Sequence, residues 1–258
     1  MLIMNKQRVG DAYYGETAEK YFEKRTVERV WQYEQSIVEG LLNELPDGLT
    51  VLDLPFGTGR FVDFYLAKNM KIYGMEISKD MIEAAKGILG DSFSCCEVKA
   101  GDATNKLPYA DNFFDLIVCF RFLKFFPHHT AKNILNEFNR VSKSKVIISM
   151  KLRKQSEPPV GSVEKLEKIG ENLYESDVIK LFQETGFEVE KRIRIKKNEV
   201  IRKQKTANRP LDKIYKHFRQ GTILSALLRK MPFAKETNTR TSVMKSKKER
   251  VVYVLKKV

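Results

Sequence analysis

Between Leu49 and Ile195, short apolar runs alternate with segments whose apolar residues recur at helical spacing. The runs are Leu49–Leu54, Lys71–Met75, Ser94–Lys99, Phe114–Phe120, Val146–Met150 and Phe187–Ile195, and Arg250–Leu255 adds a seventh near the end. The periodic segments are 59–68, Lys79–Ile88, 128–142 and Glu175–Thr185, preceded by a longer helical stretch over 16–42. Ser78 stands where it can cap a helix, and Gly90 and Gly186 stand where helices stop. Strands separated by helices are joined by crossovers, so this order predicts a parallel sheet covered by helices on both faces. The run FDLIVCF is apolar almost throughout, as suits a strand buried on both sides. In such sheets a ligand binds beyond the carboxyl ends of the strands, where the strand order reverses.

The stretch DLPFGTGRF, residues 53–61, follows the first strand and so falls at that place. Three readings compete for it. A phosphate-cradling loop needs a Lys-Ser/Thr pair after its second glycine, and there is none. A dinucleotide loop needs a third glycine, and Val62 occupies that position. The third reading is a tight strand-to-helix turn with no ligand.

Other segments decide between them. VLDLPFGTGRF resembles the first motif of the class I S-adenosylmethionine (SAM) methyltransferases, an acidic residue and a glycine-rich turn after the first strand. IYGMEIS, followed by SKDMIEAAK, resembles the second motif and the helix after it. AGDATNKLPYADNFFDLIVCF resembles the third and fourth motifs, and LFQETGFEVEKRIRI the last helix leading into strand six. The resemblance covers residues 15–195 and stands on four motifs in order. It implies an α/β, Rossmann-like fold with a seven-stranded, mostly parallel sheet, divided as an N-terminal helical cap (1–45), a SAM-binding core (46–195), a basic, partly helical insertion (196–248) and a final core strand (249–258).

The same resemblance implies the cofactor site, with SAM as cofactor and S-adenosylhomocysteine (SAH) as its product. Gly57 and Gly59 would let the methionine part of SAM lie against the turn. Asp53 would hold its amino group, and Glu76, 23 residues later, would accept from both ribose hydroxyls. Asp102 would accept from the adenine amino group and the Ala103 amide would donate to the ring, with Phe120 bordering the same cleft. The family's loop carries small residues where this chain has Pro55-Phe56, so Phe56 is expected at the pocket edge. Tyr21 and Arg25 lie one helical turn apart and resemble residues that close over the SAM carboxylate; they read equally as an amphipathic helix with a snorkelling arginine. Tyr13, Tyr14 and Trp31 would line the substrate side.

Methyl transfer from a sulfonium demands alignment of nucleophile, methyl and leaving sulfur, and a base where the acceptor carries a proton. The acceptor-facing segment is expected to be RFLKFFPHH after strand four. Arg121 is the candidate for binding an anionic acceptor and His128, with His129 beside it, for the base; the same residues read as a structural ion-pair partner and as the opening of a helix. There is no [DN]PP[YF] sequence of the kind used on bases in DNA, and Cys119 lacks the preceding proline of a cysteine-nucleophile enzyme.

Charge divides the chain. From Lys191 to the end there are 22 Lys/Arg against 4 acids, a net +18, whereas the whole chain carries +14, so residues 1–190 carry −4. An acidic body with a basic quarter predicts an anionic partner for the latter. Within Lys196–Lys248, LDKIYKHFRQGTILSALLRKM has an amphipathic, basic pattern suited to a membrane surface, a partner protein or a cap over the substrate cleft. The Lys/Arg tracts around it can also grip RNA phosphates. Three cysteines, two of them adjacent, make a poor disulfide framework, no spacing suggests a metal site, and no run has the length of a membrane span. The expected protein is cytoplasmic, transferring a methyl group to O or N of a small or anionic acceptor such as a metabolite, glycan or lipid head group. The alternatives are an RNA methyltransferase and a non-catalytic binding module.

Overall fold

The computed structural model describes residues 29–154, 169, 173–195 and 248–258. Its elements run α1 (Arg29–Asn43), β1 (Thr50–Asp53), α2 (Val62–Ala67), β2 (Lys71–Glu76), α3 (Lys79–Leu89), β3 (Cys96–Ala100), β4 (Phe114–Cys119), α4 (His128–Val141), β5 (Ser142–Arg153), α5 (Glu175–Glu184), β6 (Phe187–Ile195) and β7 (Lys248–Lys257). The seven strands form one sheet in the order β3-β2-β1-β4-β5-β7-β6. Neighbours from β3 to β5 pair in parallel, and β7 runs antiparallel between β5 and β6. This is the expected mostly parallel sheet.

Alternation along each strand builds two cores. Leu52, Ile117, Ile148 and Val251 face one side, where α4 and α5 bring Leu135, Phe138 and Phe182. Val51, Leu116, Ile147 and Val252 face the other, where α1, α2 and α3 bring Val38, Tyr65 and Leu89. Every central strand is therefore apolar on both faces, which is why FDLIVCF shows no polar alternation. Ser78 caps α3 as expected, its side chain accepting from the Met81 amide at 3.2 Å.

Several boundaries differ from the expectation. The helix predicted over 59–68 begins only at Val62, because Gly57 to Phe61 are spent on the loop. The strand expected from Ser94 begins at Cys96, after a 3-10 turn over Gly90–Cys95. β5 extends to 12 residues because β7 pairs with it from Lys145 (with Lys256) to Arg153 (with Lys248), while Ser142 pairs with Phe114 of β4. β7 begins at Lys248, so the final strand starts two residues before the expected Arg250. Residues 1–28 and 196–247, which include most of the expected cap and insertion, lie outside the described residues.

The aromatic-Asp opening of β4 has a structural role. Asp115 accepts from the Thr50 amide at 2.9 Å and pairs with Lys143 at 2.8 Å, and these bonds hold its carboxyl below the ordinary range against the raising effect of partial burial. It ties β1, β4 and β5 together at their amino ends, opposite the glycine-rich loop.

Candidate functional site

The sheet order reverses between β1 and β4. Asp53, the last residue of β1, stands in register with Gly74 of β2 and Val118 of β4. The loop that follows folds onto the end of β2: the Phe56 amide donates to the Met75 carbonyl and the Gly57 amide to Glu76 Oε2, both at 2.9 Å.

The two glycines are required for different reasons. Both have positive φ, +56° at Gly57 and +71° at Gly59, where a side chain is strained. At Gly59 an added Cβ would also lie 2.5 Å from Leu89 and 3.2 Å from Phe56, so its small size is a demand of the core. At Gly57 the nearest atom would be Met81 Cε at 3.8 Å, so this face of the loop is open to a close approach. The missing side chain at Gly59 thus answers to the core, whereas Gly57 keeps an open face. Phe56 also departs from its expected place. Its ring is buried beneath the loop, edge-on to Phe93, and a Cβ on Gly74 would lie 2.4 Å from it. The bulky residue after Pro55 is accommodated by the missing side chain on β2 and does not line a pocket.

Three carboxylates follow the ends of three strands. Asp53 is buried, and its Oδ2 has no hydrogen-bond partner among the described residues; nor has the neighbouring Tyr65 hydroxyl. The two groups are close enough to influence each other without a well-formed bond. Burial pushes the Asp53 carboxyl well above its ordinary value, against the lowering influence of Tyr65 and Arg60, and Glu76 adds to the rise. An orphaned buried acceptor is costly unless a donor or cation reaches it.

Glu76 accepts from Ile77 N (3.0 Å) and Ser78 N (3.1 Å) at Oε1 and from Gly57 N at Oε2. Burial raises its pKa, partly offset by those three amides. Oε2 takes one protein donor and retains acceptor capacity. Asp102 lies beyond β3, with Oδ1 accepting from the amide and hydroxyl of Thr104 at 2.9 and 2.7 Å, a local turn that fixes the loop carrying buried Ala103.

A further residue at this end was not singled out from the sequence. Ile77 follows Glu76 and is 47% exposed, one of two large apolar side chains so exposed among the described residues. Its signal was present in IYGMEIS, as an isoleucine just past an apolar strand that has no core position left to fill.

On the other side of the loop, Phe120 is buried edge-on to Phe61 with centroids 5.1 Å apart. Arg121 adopts φ +57°, a left-handed conformation uncommon for a residue with a side chain. Its amide donates to Ser149 Oγ at 2.7 Å and its Nε to Glu34 at 2.8 Å. Trp31 is buried on α1 with the Arg60 guanidinium 4.1 Å above its ring. His128 opens α4 and His129 beside it is exposed, contacting Thr130. Thus Asp53, Gly57, Glu76 and Asp102 gather at one end of the sheet, with Phe120 and Arg121 at the end of β4. Tyr13, Tyr14, Tyr21 and Arg25 lie outside the described residues.

Elsewhere the chemistry is spare. A surface hollow of about 470 Å³ lies between Met70–Tyr73 and Ser94–Glu97, at the amino ends of β2 and β3 and away from the carboxylates. The three cysteines are unpaired. Among the described residues there is no cluster of three or more His, Cys, Asp or Glu that could hold a metal, and no helix long and apolar enough to cross a membrane.

Residues 51–145, from β1 into β5, match the family model described as a methyltransferase domain. This stretch is similar to a methyltransferase domain. The match spans the motifs that resemble those of the class I SAM-dependent methyltransferases. No curated protein matches the chain in sequence. Among solved structures, the fold is similar to that of the cyclase SpnF (TM-score 0.64, 16% identity, covering 97% of this chain and 96% of that one). It is also similar to magnesium protoporphyrin IX methyltransferase (ChlM) from Synechocystis PCC 6803 with bound SAH (TM-score 0.61, 13% identity, 98% and 100% covered), and to the PH0226 protein from Pyrococcus horikoshii OT3 (TM-score 0.54, 15% identity, 100% of both). At these identities the likeness concerns the fold.

Proposed function

We propose that this chain is a methyltransferase that binds SAM across the carboxyl ends of β1, β2 and β3 and transfers its methyl group to O or N of a small or anionic acceptor. The orphaned Oδ2 of Asp53 and the open face of Gly57, four residues on, carry the cofactor reading. A buried carboxylate lacking a donor fits the amino cation of a methionine moiety, and the open face of Gly57 fits its close approach. The remaining acceptor capacity of Glu76 Oε2 fits a ribose hydroxyl. Ile77 offers an apolar face to the base, and the Asp102–Ala103 loop offers an acceptor and an amide to its edge. Phe120 walls the cleft from the β4 side, while Tyr21 and Arg25 belong to the expected cap.

SAM supplies a methyl group on a sulfonium, so the chain's part is to position and to exclude water. Arg121 supports the anionic acceptor: its backbone is held in a left-handed conformation at the end of β4, an arrangement that costs about 1–3 kcal/mol and recurs at functional sites. Arg60 brings a second guanidinium to the same side, above Trp31. His128, at the start of α4, is the candidate for taking a proton from a hydroxyl or amine acceptor. The acceptor class includes carboxylated or phosphorylated metabolites, glycans and lipid head groups.

The basic segment 196–248 would add affinity for the same kind of anion, or for a membrane surface or RNA. Its charge supports an anionic partner, and the described residues do not choose among these. Transfer of label from methyl-tritiated SAM into a host extract tests the reading. Label in small-molecule, lipid or glycan fractions is expected. Label in RNA that falls steeply with salt would replace it by RNA methylation.

A further inference from the structure

Glu34 lies on α1, far in sequence from the motifs, yet its carboxylate is 1% exposed. Three guanidinium groups surround it. Arg60 Nη1 donates to Oε2 at 3.1 Å, Arg121 Nε to Oε2 at 2.8 Å, and Arg250 Nη1 to Oε1 at 3.1 Å. Arg60 also donates to the Trp31 carbonyl, one helical turn before Glu34. The four members of this network, Glu34 and three arginines, come from α1, the glycine-rich loop, the end of β4 and β7. A carboxylate so buried persists only when paired, and burial, which raises its pKa, is outweighed by Arg121, Arg60 and Arg250, so it stays ionised at neutral pH.

Such a network is weak evidence for stability, since apolar residues of similar volume often do as well. What apolar packing does not do is hold two guanidinium groups at set angles. Arg60 follows the loop glycines directly and Arg121 lies two residues past β4, so one carboxylate oxygen, Oε2, joins the glycine-rich loop to the acceptor-facing loop. Arg250 donates to the other oxygen and reaches the glycine loop through Glu34.

We propose that Glu34 is a positioning residue, which through Arg60 and Arg121 sets the glycine-rich loop and the post-β4 loop in one arrangement. This rests on reading the glycine-rich loop as the SAM loop. Glu34 touches no reacting atom; its effect on cofactor binding passes through Arg60.

The test is calorimetric titration of SAH into the full chain, as wild type, Glu34→Gln, Arg250→Met and the double variant, with a thermal melt of each. Glu34→Gln is expected to weaken SAH binding about tenfold, equivalent to about 1.4 kcal/mol. Arg250→Met is expected to weaken it about threefold in the wild-type background and not at all in the Glu34→Gln background, the signature of coupled sites. A Glu34→Gln protein that melts earlier but binds SAH as wild type would show a structural role alone and overturn the proposal. If Glu34→Gln does not fold, Arg250→Met decides by itself, and unchanged affinity overturns it. Wild type that fails to bind SAH would overturn both this inference and the SAM reading, whereas binding by wild type and all variants alike would overturn this inference only.

Discussion

Asp53 and Glu76 close β1 and β2, and Asp102 lies just past β3: Glu76 takes the amides of the next two residues and that of Gly57 on the neighbouring strand-end loop, and Asp102 takes that of Thr104. The arginines across the loop are organised differently. Arg60, Arg121 and Arg250 converge on Glu34 from positions 26, 87 and 216 residues away. The contrast teaches that one side of the site is a property of strand ends, which the parallel sheet delivers automatically, and the other is a property of tertiary packing. A short motif can encode the first. The second exists only once α1, β4 and β7 have come together.

The comparison can be broken most severely at Glu76. Its carboxylate orders the Gly57 amide and is assigned to the ribose, so Glu76→Ala is expected to weaken SAH binding about 100-fold, the loss of one or two charge-assisted hydrogen bonds of roughly 1.5–3 kcal/mol each. Retained circular dichroism with lost heat of binding would check it. Next in size is the difference between the two glycines. Gly59→Ala forces a Cβ into Leu89 as well as into a left-handed φ, and is expected to destabilise by about 3 kcal/mol. Gly57→Ala meets open space and should cost only about 1 kcal/mol of stability while impairing SAH binding more. Denaturant melts beside SAH titrations separate the two effects.

Asp53 gives a pH-dependent test. Its folded value lies well above its unfolded one, so the stability it contributes is greatest in acid and falls as pH rises through the ordinary carboxylate value. To hold an amino cation it must lose its proton. Affinity for SAH should therefore fall as pH drops through the raised folded value, by at most about tenfold per unit, with a proton released on binding. Asp53→Asn should abolish that slope, and the ligand-free variant should melt higher than wild type at pH 8. Titration in buffers of different ionisation heat reads the released proton. The smallest effect is expected at Ile77, where Ala removes an apolar contact to the base and should weaken SAH about fivefold, close to 1 kcal/mol of apolar burial, without lowering the melting temperature.

The alternation of short apolar runs with helical patterns foretold the sheet, and the acidic residues at the first three strand ends foretold a group of carboxylates at one end of it, because both depend on local periodicity and chain order. Other features were invisible for physical reasons. Phe56 looked like a departure at the pocket edge, since the space that receives it is a glycine on another strand, Gly74. β5 looked short because its far end is set by pairing with β7, where Arg153 meets Lys248 from a distant part of the chain. Arg121 gave no sign of its left-handed backbone, for which glycine is the usual marker. Glu34 sat in an amphipathic helix as an ordinary charge, and only three distant arginines reveal it as buried.

The likeness to SpnF, a cyclase, shows that this architecture alone does not specify methyl transfer. The residues at the strand ends must carry that argument. Hydrogen–deuterium exchange with and without SAH tests them most directly. The account predicts slowed exchange in three separate peptides, covering 54–61, 76–78 and 101–104, with smaller protection reaching the start of α1 through Glu34. Protection confined to the amino ends of β2 and β3, or no protection anywhere, would contradict it.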